Sequence, residues 1–161
     1  FATAGTDEKL EICRQCGADE VLNYEKEDFT LAVKEWTAGK GADVIYDPVG
    51  GEVLEHSTKC IAWEGRLLVI GFAGGTIPKI AANRILLKNI SVIGLYWGNY
   101  MMHNPTLIRE TQQRLYALYE KGKIKPVIHQ ASQMDQLQHS LELLSRRKIQ
   151  GKLVLVNSAS G

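Results

Sequence analysis

The sequence has few of the features that mark a specialised protein class. Its three cysteines are too few, and odd in number, for a disulfide scaffold. Acidic and basic side chains nearly cancel to a net charge of +1, which predicts no nucleic-acid or membrane partner. No apolar run approaches the roughly 20 residues that a membrane-spanning helix needs. A reducing, cytoplasmic compartment is therefore predicted for a globular chain with an ordinary 45% of hydrophobic residues.

Strand-like and helix-like segments alternate along the chain. Thr6 and Asp28 are residue types that cap helices, and Gly17 is suited to end the first one. Pro105 stands at the favoured first position of a long helix, and Ser132 resembles the start of a capping box for the last one. The opening residues resemble the end of a buried strand. Further strands are predicted over residues 20–23, 43–47, 66–72, 90–97, 127–128 and 152–156.

This alternation implies right-handed crossovers and a mostly parallel sheet that is covered on both faces. Ligands of such sheets bind outside the carboxyl ends of the strands. Glycines in the loops expected there allow the backbone to approach a flat ligand closely. The sequence contains no internal repeat or linker, so we predict one domain over residues 1–161.

Several segments occur in an order that is typical of one enzyme family. They are residues 3–9, 22–24, 44–51, 65–75, 87–94 and the tail 147–155. Together they resemble the cofactor domain of zinc-independent medium-chain dehydrogenases/reductases, most closely the NADPH:quinone oxidoreductase (zeta-crystallin-like) group. The resemblance implies an α/β fold: a Rossmann-type doubly wound parallel sheet, here lacking its first βα unit. It also implies an N-terminal catalytic domain that this chain does not include.

The resemblance implies NADPH as the cofactor. NAD-specific enzymes place an acid at the end of the second strand, but Gly5 and Thr6 stand there, before Asp7. In the family, a lysine and a tyrosine at the places of Lys9 and Tyr24 hold the 2′-phosphate. Thr6 adds a hydroxyl and the N–H groups of a helix start. The alternative is that Lys9 is a solvated helix residue and Tyr24 a packing residue.

The loops after the later strands resemble those that line the ribose and nicotinamide. The family resemblance places Val49 and Gly50 in one loop and Gly71, Phe72 and Ala73 in the other. For Gly50 the alternative role is turn geometry alone. No catalytic residue is assigned, because the cofactor of this family supplies the reactive group.

No metal site is predicted. Cys13 and Cys16 form a C-x-x-C pair, but they stand near the C-terminus of a helix. Thiols are activated at the opposite end. A zinc site needs about four ligands, and Cys60 is the one further cysteine. We therefore interpret the cysteines as packing residues.

The implied function is the cofactor-binding portion of an NADPH-dependent oxidoreductase that transfers hydride to a quinone or an α,β-unsaturated carbonyl. Alternatives are a non-catalytic dimerisation or nucleotide-sensing module, or an enoyl reductase module of a larger synthase. The family forms homodimers through an edge strand, here the strand predicted to begin at Ile90 and end at Trp97. Since the central strand of the sheet is not recognisable, we expect a fragment, completion by a second polypeptide, or direct pairing of the flanking strands.

Overall fold

Strands and helices alternate along the chain, as the sequence predicts. The computed structural model describes residues 1–146 and 148–157; Arg147 of the predicted tail segment and residues 158–161 of the predicted domain lie outside it. The strands are β1 (Ala2–Ala4), β2 (Val21–Asn23), β3 (Ala42–Asp47), β4 (Ile61–Val69), β5 (Ser91–Gly94), β6 (Ile128–Gln133) and β7 (Lys152–Val156). The helices are α1 (Asp7–Gln15), α2 (Phe29–Trp36), α3 (Gly51–Cys60), α4 (Ala82–Lys88), α5 (Tyr100–His103), α6 (Pro105–Glu120) and α7 (Leu137–Ser145).

The first two helices begin at the predicted caps. The Thr6 side chain accepts a hydrogen bond from the Lys9 N–H at 3.4 Å, and α1 starts directly after it. The Asp28 carboxylate accepts one from the Thr30 N–H at 2.8 Å, at the start of α2. Gly17 follows the end of α1 with a φ of +99°, which suits a glycine. These three predictions are confirmed.

All strand pairs of the described chain are parallel, but they do not form one continuous sheet. β1 pairs with β2, β3–β4–β5 form a second sheet, and β6 pairs with β7. The predicted α/β class with parallel strands is confirmed. Direct pairing of β1 with β3, one of the three expectations, is not found among the described residues.

The chain divides into two compact units, Phe1–Asn104 and Pro105–Gly161, which we describe separately. The first holds β1 to β5 and the second holds β6 and β7. The single domain predicted over residues 1–161 stays a prediction.

Strand β4 begins five residues earlier than predicted, immediately after α3. Ile61 pairs with Ala42, and the register then shifts so that Arg66 pairs with Val44. The close approach depends on Gly41, where a Cβ would lie 2.6 Å from the Cys60 carbonyl oxygen. The strand also ends earlier than predicted, at Val69, so the predicted strand over residues 66–72 was wrong at both ends.

The predicted edge strand over residues 90–97 is also shorter in the structure. β5 ends at Gly94, although the Leu95 N–H still donates to the Val69 carbonyl at 3.0 Å. Among the described residues, β4 ends at Val69 and offers β5 no further pairing partner, and the chain turns into a 3₁₀ helix at Trp97–Asn99. The prediction that the edge strand reaches Trp97 was wrong.

In the second unit, strand pairing overrides a local helix signal. Ser132 lies inside β6, is 5% exposed, and pairs with Leu155 of β7. Helix α7 starts later, after a 3₁₀ turn, and Gln136 at its N-cap position makes no side-chain capping bond. The capping box predicted from Ser132 was wrong. Pro105 opens α6, as predicted.

The buried core of the first unit lies between α3 and β4. Leu54 and Leu67 are fully buried, and Ile61 and Ile90 pack with them. Complete burial of such a side chain stabilises a fold by roughly 1.5–3 kcal/mol. The core therefore anchors β3, β4 and β5, and with them the loops that follow these strands.

Helix α4 is attached to the C-terminal end of α3 by two cations. Arg84 Nη1 donates to Thr58 Oγ1 at 2.7 Å, and Lys88 Nζ donates to the Ile61 carbonyl at 2.9 Å and the Lys59 carbonyl at 3.2 Å. Positive charge is favourable at this end of a helix. Burial nevertheless lowers the pKa of Lys88.

Candidate nucleotide-binding site

The predicted 2′-phosphate residues lie where β1 and β2 end. Ala4 pairs with Asn23, so the residues that follow these strands adjoin each other. The Tyr24 ring packs over Gly5, where a Cβ would lie 2.9 Å from the phenol oxygen. Thr6 caps α1, and Lys9, which is partly buried, lies in the first turn of that helix. The structure thus brings Gly5, Thr6, Lys9 and Tyr24 into one corner, called the β1–β2 corner below.

An ion pair that the sequence analysis missed closes this corner. Lys26 Nζ lies 2.7 Å from Asp7 Oδ2, and Asn23 Nδ2 donates to Asp7 Oδ1 at 2.9 Å. The hydrogen bond from Lys26, and then that from Asn23, lowers the pKa of Asp7. The first acid after β1 is therefore already occupied by two donors. The ion pair has a signal in the residue spacing. Asp7 follows Ala4 by the same number of residues as Lys26 follows Asn23, and Ala4 pairs with Asn23.

The Thr6 side chain also affects an acid in the first turn of α1. The pKa of Glu8 is lowered by a hydrogen bond from its own backbone N–H and then by the Thr6 side chain. Thr6 Oγ1 accepts from the Lys9 N–H. The corner consequently carries acids as well as lysines.

The other predicted residues lie on two loops that are joined by backbone hydrogen bonds. The Ala73 N–H donates to the Pro48 carbonyl at 3.0 Å, and the Gly51 N–H donates to the Thr76 carbonyl at 3.0 Å. These bonds hold the loop after β3 against the loop after β4. The structure therefore places Val49, Gly50, Gly71, Phe72 and Ala73 on one surface, called the β3–β4 shelf below.

Gly50 is required by the geometry of this shelf. Its φ of 74° and ψ of −157° lie in a region that is essentially restricted to glycine. A Cβ there would lie 2.7 Å from Phe72 Cδ1. The turn-geometry role that the sequence analysis left open for Gly50 is confirmed, and its role in binding stays a prediction.

Asp47, at the end of β3, is a second residue that the sequence analysis passed over. It is 2% exposed, and its Oδ1 accepts from the Val49 N–H at 2.7 Å and the Gly50 N–H at 2.9 Å. Its Oδ2 is buried and has no hydrogen-bond partner among the described residues. The signal was an aspartate followed by proline and glycine after a strand, a pattern that forms turns through side-chain bonds.

A cavity of about 720 Å³ separates β1 from β3. Residues of both strands line it, and Trp36 of α2 and Ser57 of α3 lie among the other lining residues. Asp47 and Val49 also line it. In the doubly wound order 3-2-1-4-5-6, one strand lies between the places that β1 and β3 take.

The three cysteines carry free thiols. Cys13 is partly buried, Cys16 is exposed, and Cys60 is buried, which raises the pKa of its thiol. Within residues 1–146 and 148–157, no three His, Cys, Asp or Glu side chains are grouped to hold a metal ion. In the same residues, no helix is both long and apolar enough to cross a bilayer.

Comparison with known proteins identifies the family. The sequence model of the zinc-binding dehydrogenase family matches residues 1–113, which include the β1–β2 corner and the β3–β4 shelf. The chain belongs to the zinc-binding dehydrogenase family. The family is described as zinc-binding, whereas we predict that this member is zinc-independent. That zinc-independence stays a prediction.

Similar relatives and solved structures include quinone oxidoreductases. It is 40% identical over 153 residues to quinone oxidoreductase-like protein 2 homolog of Nematostella vectensis, covering 94% of this chain and 42% of that protein. Escherichia coli quinone oxidoreductase complexed with NADPH is 28% identical with a TM-score of 0.85, covering 96% of this chain and 48% of that one. A 2-haloacrylate reductase structure is 26% identical with a TM-score of 0.83, covering 98% and 49%.

These matches confirm the predicted resemblance to the medium-chain quinone oxidoreductases and the Rossmann-type fold. The chain spans less than half the length of each of these three proteins. The E. coli structure supports the predicted cofactor, because that relative was solved with NADPH.

Proposed function

We propose that the chain is the NADPH-binding portion of an oxidoreductase that reduces a quinone or an α,β-unsaturated carbonyl. The observation that carries this proposal is the β1–β2 corner, where Tyr24 packs on Gly5 beside the N-terminus of α1. The N–H groups of a helix start attract phosphate, and Lys9 adds positive charge in the first turn. Asp7 is held by Lys26, so its carboxylate repels a 2′-phosphate less.

In this proposal, the β1–β2 corner and the β3–β4 shelf bind different parts of the cofactor. Lys9, Tyr24 and the start of α1 hold the 2′-phosphate. The β3–β4 shelf, with Phe72 43% exposed beside Gly50, lies along the ribose and nicotinamide. When bound, NADPH supplies a hydride from its nicotinamide ring, and the shelf orients that ring and excludes water.

The substrate class rests on the relatives. One similar structure is a quinone oxidoreductase, and another is a 2-haloacrylate reductase, whose named substrate is an unsaturated acid. Both a quinone and a conjugated carbonyl accept a hydride at a carbon or oxygen that is conjugated to a carbonyl group. We therefore keep both substrates within the proposal.

Binding of the 2′-phosphate can be tested without turnover. We would titrate the chain with 2′,5′-ADP and with 5′-AMP by calorimetry, because the two ligands differ only in that phosphate. We expect tighter binding of 2′,5′-ADP, and we expect Lys9→Ala to reduce the preference about tenfold, as for one charged hydrogen bond. Lys59→Ala, on α3, is the matched control. Equal binding of the two ligands by the unaltered chain would contradict the proposal.

The proposal includes a homodimer, but its contact strand is shorter than the one predicted from the sequence. Among the described residues β5 pairs only with β4, so its other edge is open to a second copy of the chain. The contact would use Ser91–Gly94 rather than all of residues 90–97, with the 75%-exposed Tyr96 beside it. Light scattering tests this directly, since a monomer at high concentration rules it out. We also propose that the protein is cytoplasmic and that it does not depend on zinc.

A further inference from the structure

The first turn of α1 carries more negative charge than a phosphate site favours. Asp7 and Glu8 both lie there, directly after the Thr6 cap. Such acids stabilise the start of a helix because they interact with its positive end. A 2′-phosphate that binds the same helix end is repelled by them. A preference for NADPH therefore requires that this negative charge be offset.

Lys26 offsets the charge of Asp7. Its Nζ lies 2.7 Å from Asp7 Oδ2, and the hydrogen bond to Asp7 raises the pKa of Lys26 above its ordinary value of 10.5. The ammonium group therefore stays charged at neutral pH. The pair is open to ligands, since 61% of the Lys26 side chain and 67% of the Asp7 side chain are exposed. An ion pair so exposed adds little to the stability of a fold.

A buried residue positions both partners of this pair. Asn23 is 5% exposed, and its Nδ2 donates to Asp7 Oδ1 at 2.9 Å. Asn23 Oδ1 accepts from the Glu25 N–H at 3.1 Å, and its carbonyl accepts from the Lys26 N–H at 3.0 Å. Asn23 thus fixes the carboxylate and also the turn that carries the lysine. Because it pairs with Ala4 where β1 and β2 end, both charges are held at the carboxyl ends of the strands, where ligands of such sheets bind.

The two nicotinamide cofactors respond oppositely to a carboxylate at this place. NADH and NADPH differ only at the 2′ position of the adenosine ribose. An unpaired carboxylate accepts a hydrogen bond from the 2′-hydroxyl of NADH and repels the 2′-phosphate of NADPH. A carboxylate that is bonded to an ammonium group does neither as strongly. The state of Asp7 therefore bears directly on the choice of cofactor.

We propose that Lys26 is a specificity-determining residue, which favours NADPH over NADH by pairing with Asp7. This inference rests on the proposed function and names the residue that sets its cofactor preference. In the pair, Lys26 neutralises the Asp7 carboxylate toward a phosphate and occupies the oxygen that a ribose hydroxyl would use. Without Lys26, Asp7 is an uncompensated acid at the β1–β2 corner.

A purely structural role for the pair gives a different expectation. A pair that served only the fold would respond in the same way to the loss of either partner. The proposal instead requires opposite responses. Loss of Lys26 leaves an uncompensated negative charge at the corner, whereas loss of the Asp7 carboxylate leaves an uncompensated positive one.

The test measures the ratio of the affinities for 2′,5′-ADP and 5′-AMP by calorimetry, with the full chain. We expect Lys26→Met to lower this ratio about threefold or more and Asp7→Asn to raise it, as for a screened surface charge. Lys26→Arg keeps the charge and should keep the ratio. The double variant Asp7→Asn/Lys26→Met removes both charges and should return the ratio toward that of the unaltered chain. In roughly 1 M sodium chloride, where the Debye length is about 3 Å, the differences should shrink.

A second ion pair of the chain supplies the matched control. Lys40 Nζ lies 2.9 Å from Asp43 Oδ1, and the two side chains are 65% and 67% exposed, much as in the Lys26 pair. Asp43 stands at the start of β3, at the end of the strand opposite to the ligand-binding loops. Lys40→Met and Asp43→Asn should leave the ratio unchanged. Circular dichroism checks that each variant is folded.

Three results would overturn the inference. They are an unchanged ratio in Lys26→Met, shifts in the same direction in Lys26→Met and Asp7→Asn, or a double variant whose ratio stays as low as that of Lys26→Met. A preference for 2′,5′-ADP that no variant moves would refute this inference alone. Equal binding of the two ligands by the unaltered chain, or binding of neither, would refute the proposed function and this inference with it.

Discussion

Lys26 Nζ lies 2.7 Å from Asp7 Oδ2 and so joins the turn after β2 to the first turn of α1. Asn23 donates to the other carboxylate oxygen. The carboxylate of the first acid after β1 is thereby committed to holding two elements together. A ribose hydroxyl would have to compete with both donors for it. This is a physical reason to expect a cofactor with a 2′-phosphate at this corner.

The Asp7–Lys26 pair gives the first prediction, which concerns pH. The hydrogen bond from Lys26 holds the pKa of Asp7 below its ordinary value of 3.8. The pair therefore stabilises the fold above that value, and its contribution is lost as the pH falls through the folded-state pKa. Asp7→Asn should lower the urea midpoint at neutral pH, and the difference from the unaltered chain should shrink in strong acid. Asp19→Asn, which alters an exposed carboxylate, should show no such convergence.

The second prediction concerns the contact between Tyr24 and Gly5. In Gly5→Ala the new methyl group would lie 2.9 Å from the phenol oxygen, so the Tyr24 ring must move aside. The end of a side chain moves at small cost, so the free energy of unfolding should change by about 1 kcal/mol or less. Binding of 2′,5′-ADP should weaken several-fold. Gly94→Ala, where no atom lies within 4 Å, should leave that binding unchanged.

The third prediction compares two glycines with positive φ near the β3–β4 shelf. Gly50→Ala combines a backbone region that alanine avoids with a methyl group 2.7 Å from Phe72 Cδ1. It should cost about 3 kcal/mol or more of unfolding free energy. Gly75 has a φ of +85° but no atom within 4 Å, so Gly75→Ala should cost about 1–2 kcal/mol. Equal losses in urea unfolding would show that the Phe72 contact is unimportant.

The fourth prediction concerns Lys88, whose side chain donates to backbone carbonyls at the C-terminal end of α3. Lys88→Met removes the donors to the Ile61 and Lys59 carbonyls while keeping a long apolar stem. The free energy of unfolding should fall by about 1–2 kcal/mol, as expected for lost hydrogen bonds at a helix end. Lys79→Met alters an exposed lysine in a loop and should change it by about 0.5 kcal/mol or less. Thermal unfolding of the two variants side by side gives the comparison.

Local signals in the sequence predicted local structure well. Thr6 and Asp28 cap helices because a cap needs only a side chain and a backbone N–H two or three residues away. Ser132 carried a similar signal, but it pairs with Leu155 in β6–β7 instead. A partner that lies so far along the chain is not visible from the residues around Ser132. The early start of β4 was missed for the same reason, because it depends on Gly41 and the Cys60 carbonyl.

The candidate site was predicted as residues but not as contacts. The family resemblance placed Gly5, Thr6, Lys9 and Tyr24 near each other, and parallel pairing of β1 with β2 accounts for that proximity. It did not predict that Lys26 pairs with Asp7. The unpaired oxygen of Asp47 was also out of reach, since a sequence does not state which carboxylate oxygen finds a donor.

The separation of β1–β2 from β3–β4–β5 has a consequence for how the first unit unfolds locally. The buried cluster of Leu54, Ile61, Leu67 and Ile90 lies entirely with the second of these sheets. Regions with few buried contacts open at lower free energy than the core. Leu22 should therefore exchange its amide hydrogen for deuterium through a smaller, separate opening than Leu67. The unit would then unfold in two cooperative steps, and the β3–β4 shelf would outlast the β1–β2 corner.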